Sequence, residues 1–324
     1  MVALNQKQHT MTPVPVDSET IELIHTLFPG EEIAELTQIS VGWNSHVYIL
    51  NQKFVIKIPK TRSAIEGIEK EMALAESLRK HLPVQLPKYV SNAKVGDICG
   101  FAYNLIKGKM MTTMSLSGGE SHIDPTKISD RKLYSSIQKQ LAGILSSIHS
   151  IESQPVTEIL ARFENETWSE AYLRVGKKFD AALQKVFHAE GLFNARSLLA
   201  ETIERITHCD FQQKFIHGDF GGWNIIYDED RKEINGILDW ADSCIGDPAL
   251  DFTELIYDYG EHYAREVLGF YLKNNDPADF MERGKLYLRL EGYRDLHYGV
   301  VTSSPEFVAK GIKNIEKMLK GPEE

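Results

Sequence analysis

An α+β fold in two lobes is what the sequence predicts: a small antiparallel-sheet first lobe with a helix, then a larger, mainly helical second lobe. Three observations predict it. The chain has 324 residues, more than one hydrophobic core usually organises. Its first third carries short β-branched and aromatic runs separated by turn residues. The remainder is dominated by apolar residues at helical spacing, so strands and helices are segregated rather than alternating.

Each element can be justified in chain order. Asp17 to about Phe28 has Ile21, Ile24 and Leu27 or Phe28 on one side and ends at Pro29 and Gly30, which predicts a short capped helix. ELTQISVGWNSHVYILNQKFVIKIPK then reads as two or three antiparallel strands with tight turns. From Ser63 to about His81, Ile68, Glu71, Met72, Ala75, Leu78 and Leu82 fall on one helical stripe. LPVQLPKYV and CGFAYNLIKG resemble further strands, and about Thr112 to Pro125 reads as a loop. Leu133, Ile137, Leu141, Ile144 or Leu145 and Ile148 predict a strongly amphipathic helix, with two or three more between Trp168 and His208. WNIIYDEDRKEINGILDW is a hairpin. Helices resume from Thr253 and close with FVAKGIKNIEKML before Gly321 and Pro322.

Composition narrows the function classes. Apolar residues make up 42% of the chain and charged residues 25%, and 23 glycines and 12 prolines are too few for a low-complexity or collagen-like chain. A net charge of −10 argues against nucleic acid or an anionic membrane as partner and suits a cationic ligand. Cys99, Cys209 and Cys244 show no paired spacing, which fits a reducing compartment without a disulfide or zinc framework. No apolar run approaches the roughly 18 residues of a membrane helix, and the N-terminal stretch lacks a secretion pattern. A cytoplasmic protein is expected, a monomer by default.

The sharpest chemical signal is HGDFGGWN, His217 to Asn224, followed by LDW at Leu238 to Trp240. A hairpin returns its second strand beside the start of the first, so Asn224 and Asp239 converge while Asp219 sits on the loop just before them. Phosphoryl transfer needs this layout. Magnesium takes oxygen ligands from one or two side chains and completes its shell with water and phosphate, and a separate carboxylate orients the attacking hydroxyl and accepts its proton. Protein kinases carry an Asp and an Asn at the same separation and then a metal-binding Asp; Gly218 stands where they have Arg. His217 is read as structural, bonding the loop behind Asp219.

Glu71 is the only acid on its apolar stripe, and burying it unpaired is expensive, so a lysine is expected against it. Lys57, in the alternating strand FVIKIP, is the expected partner, with an ammonium that also reaches phosphate oxygens; a solvated edge lysine and a Glu71 exposed at the helix boundary are the alternatives. Glu69, two residues from Glu71, faces elsewhere. VGWNSHVY reads as a strand, turn and strand closing over phosphates, with Gly42 and Ser45 at the close approach; an ordinary hairpin turn is the alternative. No GKS or GKT follows a Gly-x-x-x-x spacing, which disfavours the P-loop class.

HGDFGGWN, ILDW, IGDPALDF and the LAGILSSIH helix, in this order, resemble the aminoglycoside phosphotransferase family, small-molecule kinases built on the protein-kinase fold. The resemblance spans nearly the whole chain. VGWNSHVYILNQKFVIKIPK, AYNLIKGKMMT and YRDLHYGVVTSSPEFVAKGIKNI look like its 2″-phosphotransferase branch. It implies a bilobal protein-kinase-like fold with a nucleotide-binding lobe at 1–103, a hinge at 104–110 and a catalytic and substrate-binding lobe at 111–324. It implies Asp219 as catalytic base, Asn224 and Asp239 as Mg²⁺ ligands, and Lys57, held by Glu71, on the phosphates of ATP or GTP. Tyr103, Asn104 and Ile106 would border the purine, and Asp247 and Asp251 would brace the catalytic loop, with a helix N-cap as the alternative for Asp247. In the antibiotic kinases acids face a polycationic acceptor. Glu254, Asp258 and Glu261 recur here at spacings of four and three and are read as one such acidic face, a solvated helix face being the alternative.

The expected activity is therefore transfer of a γ-phosphate to a hydroxyl of a small cationic molecule, foremost the 2″ hydroxyl of an aminoglycoside. A macrolide, choline, homoserine, a sugar or a protein are the alternative acceptors. A non-catalytic pseudokinase regulator usually lacks a metal ligand, the base or the phosphate lysine, and all of these are present.

Overall fold

The structure, a computed structural model, describes residues 17–41, 44–113, 122–163, 166–271 and 277–320. Two compact units divide the chain: Met1–Phe163 with His217–Ser243, and Glu164–Ile216 with Cys244–Glu324. The antiparallel sheet near the N-terminus and the helical C-terminal part give the α+β class that the sequence predicts.

In the first unit, helix α1 (Ser18–Leu27) is capped by Asp17, whose carboxylate accepts from Thr20 N at 2.7 Å. Strands β1 (Leu36–Val41), β2 (Ser45–Leu50) and β3 (Phe54–Pro59) follow. Helix α2 (Arg62–Leu78) starts on a Thr61 cap, and strands β4 (Tyr89–Val95) and β5 (Ile98–Asn104) complete an antiparallel sheet of order β1-β2-β3-β5-β4. Alternation along β3 decides what each face holds. Ile56 and Ile58 join Tyr48, Leu50 and Ala102 in a core with Leu23, Ile24 and Leu27 of α1. Fully burying a side chain of this kind stabilises by about 1.5–3 kcal/mol. Lys57 is thereby directed to the opposite face.

The expected strand LPVQLPKYV begins only at Tyr89. Pro83 and Pro87 have no N–H to give a ladder, and the segment before Tyr89 meets strands through the isolated bridge of Gln85 to Gly236 and through Lys88 O, which accepts from Asn104 N. Strand β6 (Lys109–Met111), in the stretch leading to the expected loop, pairs with β7 (His122–Ile123); residues 114–121 of that loop lie outside the described residues. Helices α3 (Arg131–His149) and α4 (Gln154–Phe163) follow, α3 with its apolar stripe of Ile137, Leu141, Ile144, Leu145 and Ile148 buried.

Helices α5 (Trp168–Val186) and α6 (Ala189–His208) open the second unit, α5 with a reciprocal Thr167–Glu170 capping box. Strand β8 (Lys214–Ile216) also belongs there. The first unit takes up the hairpin of β9 (Ile225–Asp228) and β10 (Glu233–Ile237), which joins β6 and β7 in the order β10-β9-β6-β7. Strand β11 (Cys244–Gly246) pairs with β8, and helices α7 (Leu250–Tyr259), α8 (Glu261–Tyr271), α9 (Pro277–Leu288), α10 (Glu291–Thr302) and α11 (Pro305–Lys320) complete the second unit. No helix among the described residues is long and apolar enough to cross a membrane.

Candidate active site

The loop His217–Asn224 and the end of β10 are tied together through main chain. Leu238 N donates to Asn224 O at 2.8 Å, so the residue before Asp239 is fixed to position 224. His217 locks the same junction. Its Nε2 donates to Leu238 O at 2.9 Å, and its Nδ1 accepts from Asp219 N at 3.3 Å. A carbonyl only accepts, so this geometry assigns the proton to Nε2. The ring is fully buried against Trp240 and Phe220, the structural place the sequence suggests for it.

Gly218 explains its own identity. Its φ is +83°, and a Cβ there would lie 2.3 Å from the Asp242 carbonyl oxygen, so the arginine of the protein-kinase pattern has no room. Asp219 next to it receives the Asn224 side-chain amide twice, on its backbone O at 2.9 Å and on Oδ2 at 2.8 Å. The Trp223 indole N–H approaches Oδ2 at 3.4 Å. Both Asn224 amide contacts use Nδ2, which leaves Oδ1 as the atom available to a cation. Asp239 adopts φ +59°, a strained state for a non-glycine residue, and its side chain is 48% exposed. One amide oxygen and one open carboxylate are the hard-oxygen donors that magnesium takes from protein. No group of three or more His, Cys, Asp or Glu suited to a metal occurs among the described residues, and magnesium held partly by water and phosphate does not need one.

Lys57 stands across from this loop in the same unit. Its Nζ is 2.8 Å from Glu71 Oε2 and 3.6 Å from Asp239 Oδ1, so the structure brings β3, α2 and the β10 terminus to one ammonium. Burial opposes the charge on Lys57, but the Asp239 and Glu71 carboxylates outweigh it and hold its pKa well above the ordinary lysine value. Glu71 is fully buried, and Tyr89 OH donates to the same Oε2 at 2.7 Å. Sequence reasoning missed Tyr89. No local pattern marked it, since its register with Tyr103 is set by the pairing of β4 with β5.

The remaining expected nucleotide contacts are placed less completely. Gly42 lies outside the described residues. Ser45 is buried at the start of β2 opposite Pro59. Tyr103 is buried in β5 opposite Val55, with the Lys57 Nζ 6.0 Å from its ring centre. Asn104 N donates to Lys88 O at 3.2 Å, and Leu105 N to Lys53 O at 2.8 Å. Ile106 is buried over Gly236.

In the second unit the expected acidic face is not one face. Helix α7 ends at Tyr259, Gly260 takes φ +86°, and Glu261 starts α8. The break falls between the acids because a left-handed glycine ends the first helix. Nor are the first two solvated: Glu254 and Asp258 are each 5% exposed. Glu254 accepts from Arg294 at 3.1 Å, and its pKa is pushed up to about 7 by burial and by the Glu291 charge, against the pull of Arg294. Glu261 accepts from Arg265 Nε at 2.9 Å and pairs with Lys285 at 3.0 Å. Asp247 is fully buried and receives Arg283 Nε at 2.8 Å, Tyr287 OH at 3.0 Å and Ala249 N at 3.0 Å. It therefore anchors α9 and its own turn, which is neither the expected bracing of the catalytic loop nor a helix N-cap, since the N-cap of α7 is Ala249 without a side-chain cap bond. Asp251 is also fully buried.

An antiparallel sheet with a lysine paired to a helix acid, and a hairpin that gathers an Asp, an Asn and a second Asp, define a kinase-like phosphotransferase. The chain belongs to the phosphotransferase enzyme family known as APH, whose family pattern matches residues 35–284. It is 22% identical over 251 residues to viomycin phosphotransferase of Streptomyces vinaceus, covering 76% of this chain and 81% of that protein. The GDP and kanamycin complex of APH(2″)-IIIa superposes with a TM-score of 0.78 at 18% identity, over 93% of this chain and 97% of that one. A macrolide 2′-phosphotransferase type I superposes with a TM-score of 0.71 at 16% identity, over 94% and 99% of the two chains.

Proposed function

We propose that this phosphotransferase moves the γ-phosphate of ATP or GTP to a hydroxyl of a small cationic molecule, foremost the 2″ hydroxyl of an aminoglycoside. The observation that carries the phosphoryl-transfer reading is the meeting of Lys57, Glu71 and Asp239 beside the Asp219–Asn224 loop. The likeness to a structure holding GDP and kanamycin supports the donor and acceptor classes. Residues 1–103 hold the nucleotide and 104–110 act as hinge, with Tyr103, Asn104 and Ile106 bordering the purine and Ser45 near the phosphates. Lys57 grips the phosphates while Glu71 keeps it in place. Asn224 and Asp239 are the residues that would hold magnesium, which supplies charge neutralisation on the triphosphate oxygens. Asp219, oriented by Asn224 and Trp223, accepts the proton of the acceptor hydroxyl as its oxygen bonds to the γ-phosphorus and the bond to the nucleoside diphosphate breaks. Cys99, Cys209 and Cys244 stand in no disulfide, in keeping with work in the cytoplasm, where the donor is made.

A second reading keeps the chemistry and changes the acceptor. Glu254 is buried and bonded by Arg294, and Glu261 is paired with Arg265 and Lys285, which favours an acceptor less cationic than an aminoglycoside, such as a macrolide. Coupled nucleoside-diphosphate release with ATP and GTP distinguishes them, across 4,6- and 4,5-disubstituted aminoglycosides, viomycin, macrolides, choline and homoserine. Acceptor-dependent release with kanamycin supports the first reading and release with macrolides alone the second. No acceptor-dependent release with any compound counts against both.

A further inference from the structure

We infer that Tyr89 is a positioning residue of the donor grip: its hydroxyl fixes the Glu71 carboxylate, and through it the Lys57 ammonium. The inference rests on the phosphotransferase reading of that site and adds a third member to it. The geometry is specific. Glu71 is fully buried, and its Oε2 accepts from Lys57 Nζ at 2.8 Å and from Tyr89 OH at 2.7 Å, while Oε1 has no hydrogen-bond partner among the described residues. All of the visible satisfaction of a buried carboxylate therefore falls on one oxygen shared by two donors. Removing one donor from a buried acceptor is costly because water does not replace it.

The three side chains also come from three elements. Lys57 is on β3, Glu71 on α2 and Tyr89 opens β4, two strands away from β3 across β5. Tyr89 is in register with Tyr103, whose ring lies 5.3 Å from its own at 59°, so the phenol ring is held by the sheet independently of its hydroxyl. A phenol fixed in this way restricts the rotation of the Glu71 carboxylate. The carboxylate in turn keeps the lysine from swinging wholly to Asp239, 3.6 Å on its other side. The burial of Tyr89 and the adjacent Glu71 charge hold its pKa well above the ordinary tyrosine value, so the hydroxyl remains a donor throughout the working range.

Tyr89→Phe keeps the ring and deletes the donor. Steady-state kinetics on the wild type, Tyr89→Phe, Glu71→Gln and the double variant give the test, with the best acceptor found and with nucleotide and acceptor varied in turn. The expected result is a 3- to 10-fold fall in kcat/KM for the nucleotide with the acceptor KM within twofold, and no further fall when Tyr89→Phe is added to Glu71→Gln. Equal kinetics for Tyr89→Phe and the wild type overturn the inference. So does a loss that falls equally on both substrates, or one that persists undiminished in the Glu71→Gln background, because either would be a general packing effect. A wild type without acceptor-dependent turnover would instead remove the reading on which the inference rests.

Discussion

Gly218→Ala isolates the geometry of the proposed catalytic loop with a single methyl group. The new Cβ would lie 2.3 Å from the Asp242 carbonyl oxygen and 2.9 Å from its carbon, where ordinary contact begins at 3.4 Å. Both obstacles are main chain, so no side-chain rotation relieves them, and the loop has to move by about 1 Å. The left-handed φ of +83° adds about 1–2 kcal/mol for any residue with a Cβ. Asp219 is the next residue, and a displacement of about 1 Å costs on the order of 100-fold in rate when the reacting groups are positioned for attack. The expected result is a roughly 100-fold fall in kcat, a nucleotide KM close to the wild-type value because Lys57 and Glu71 lie on other elements, and a loss of at least about 1 kcal/mol in stability. Steady-state kinetics and denaturant unfolding measure these. Gly143→Ala is the control, since a Cβ on that α3 glycine meets nothing within 4 Å and a helix-interior alanine gains about 0.5–1 kcal/mol over glycine. A Gly218→Ala enzyme with kcat within threefold of the wild type would refute the reasoning.

Two further perturbations test the charge arrangement. Glu71→Ala leaves the buried Lys57 with Asp239, at 3.6 Å, as its one ion-pair partner among the described residues, and removing one member of a buried pair costs about 3–5 kcal/mol; urea unfolding should show it, together with a sharply raised nucleotide KM. Glu254→Gln should stabilise the protein at pH 8 and leave it unchanged near pH 4. The folded pKa of Glu254 is raised from 4.5 to about 7, so the stability associated with this group is fully present below pH 4.5 and is lost as the pH rises through 7. The amount is on the order of 3 kcal/mol, and unfolding midpoints of the two proteins that stay parallel from pH 4 to 8 would contradict it.

What the sequence disclosed and what it concealed have physical causes. Lys57 and Glu71 were legible because each breaks an otherwise apolar pattern, one at period two in β3 and the other at helical period in α2. Asn224 and Asp239 were legible because a hairpin fixes the distance between its ends, here through Leu238 N and Asn224 O. Tyr89 was not, because its strand runs YVSNAKV, a polar sequence at the sheet edge whose pairing depends on β5. The burial of Glu254 was hidden for a related reason. Its partner Arg294 is forty residues away on α10, and no local spacing announces such a pair. Gly260 was visible, but only its left-handed φ shows that the acids before and after it belong to different helices. The short pairing of β8 with β11 joins segments too brief to show a period.

The central claim is that Asp219 accepts the proton of the acceptor hydroxyl, and Asp219→Asn tests it most directly. Nucleoside-diphosphate release should be measured with the best acceptor, alongside nucleotide affinity by a direct binding assay. General-base catalysis contributes about 10²–10⁴-fold, so the account predicts acceptor-dependent release reduced by about 10³-fold with nucleotide affinity within about twofold of the wild type. Release that stays within tenfold of the wild type would contradict it.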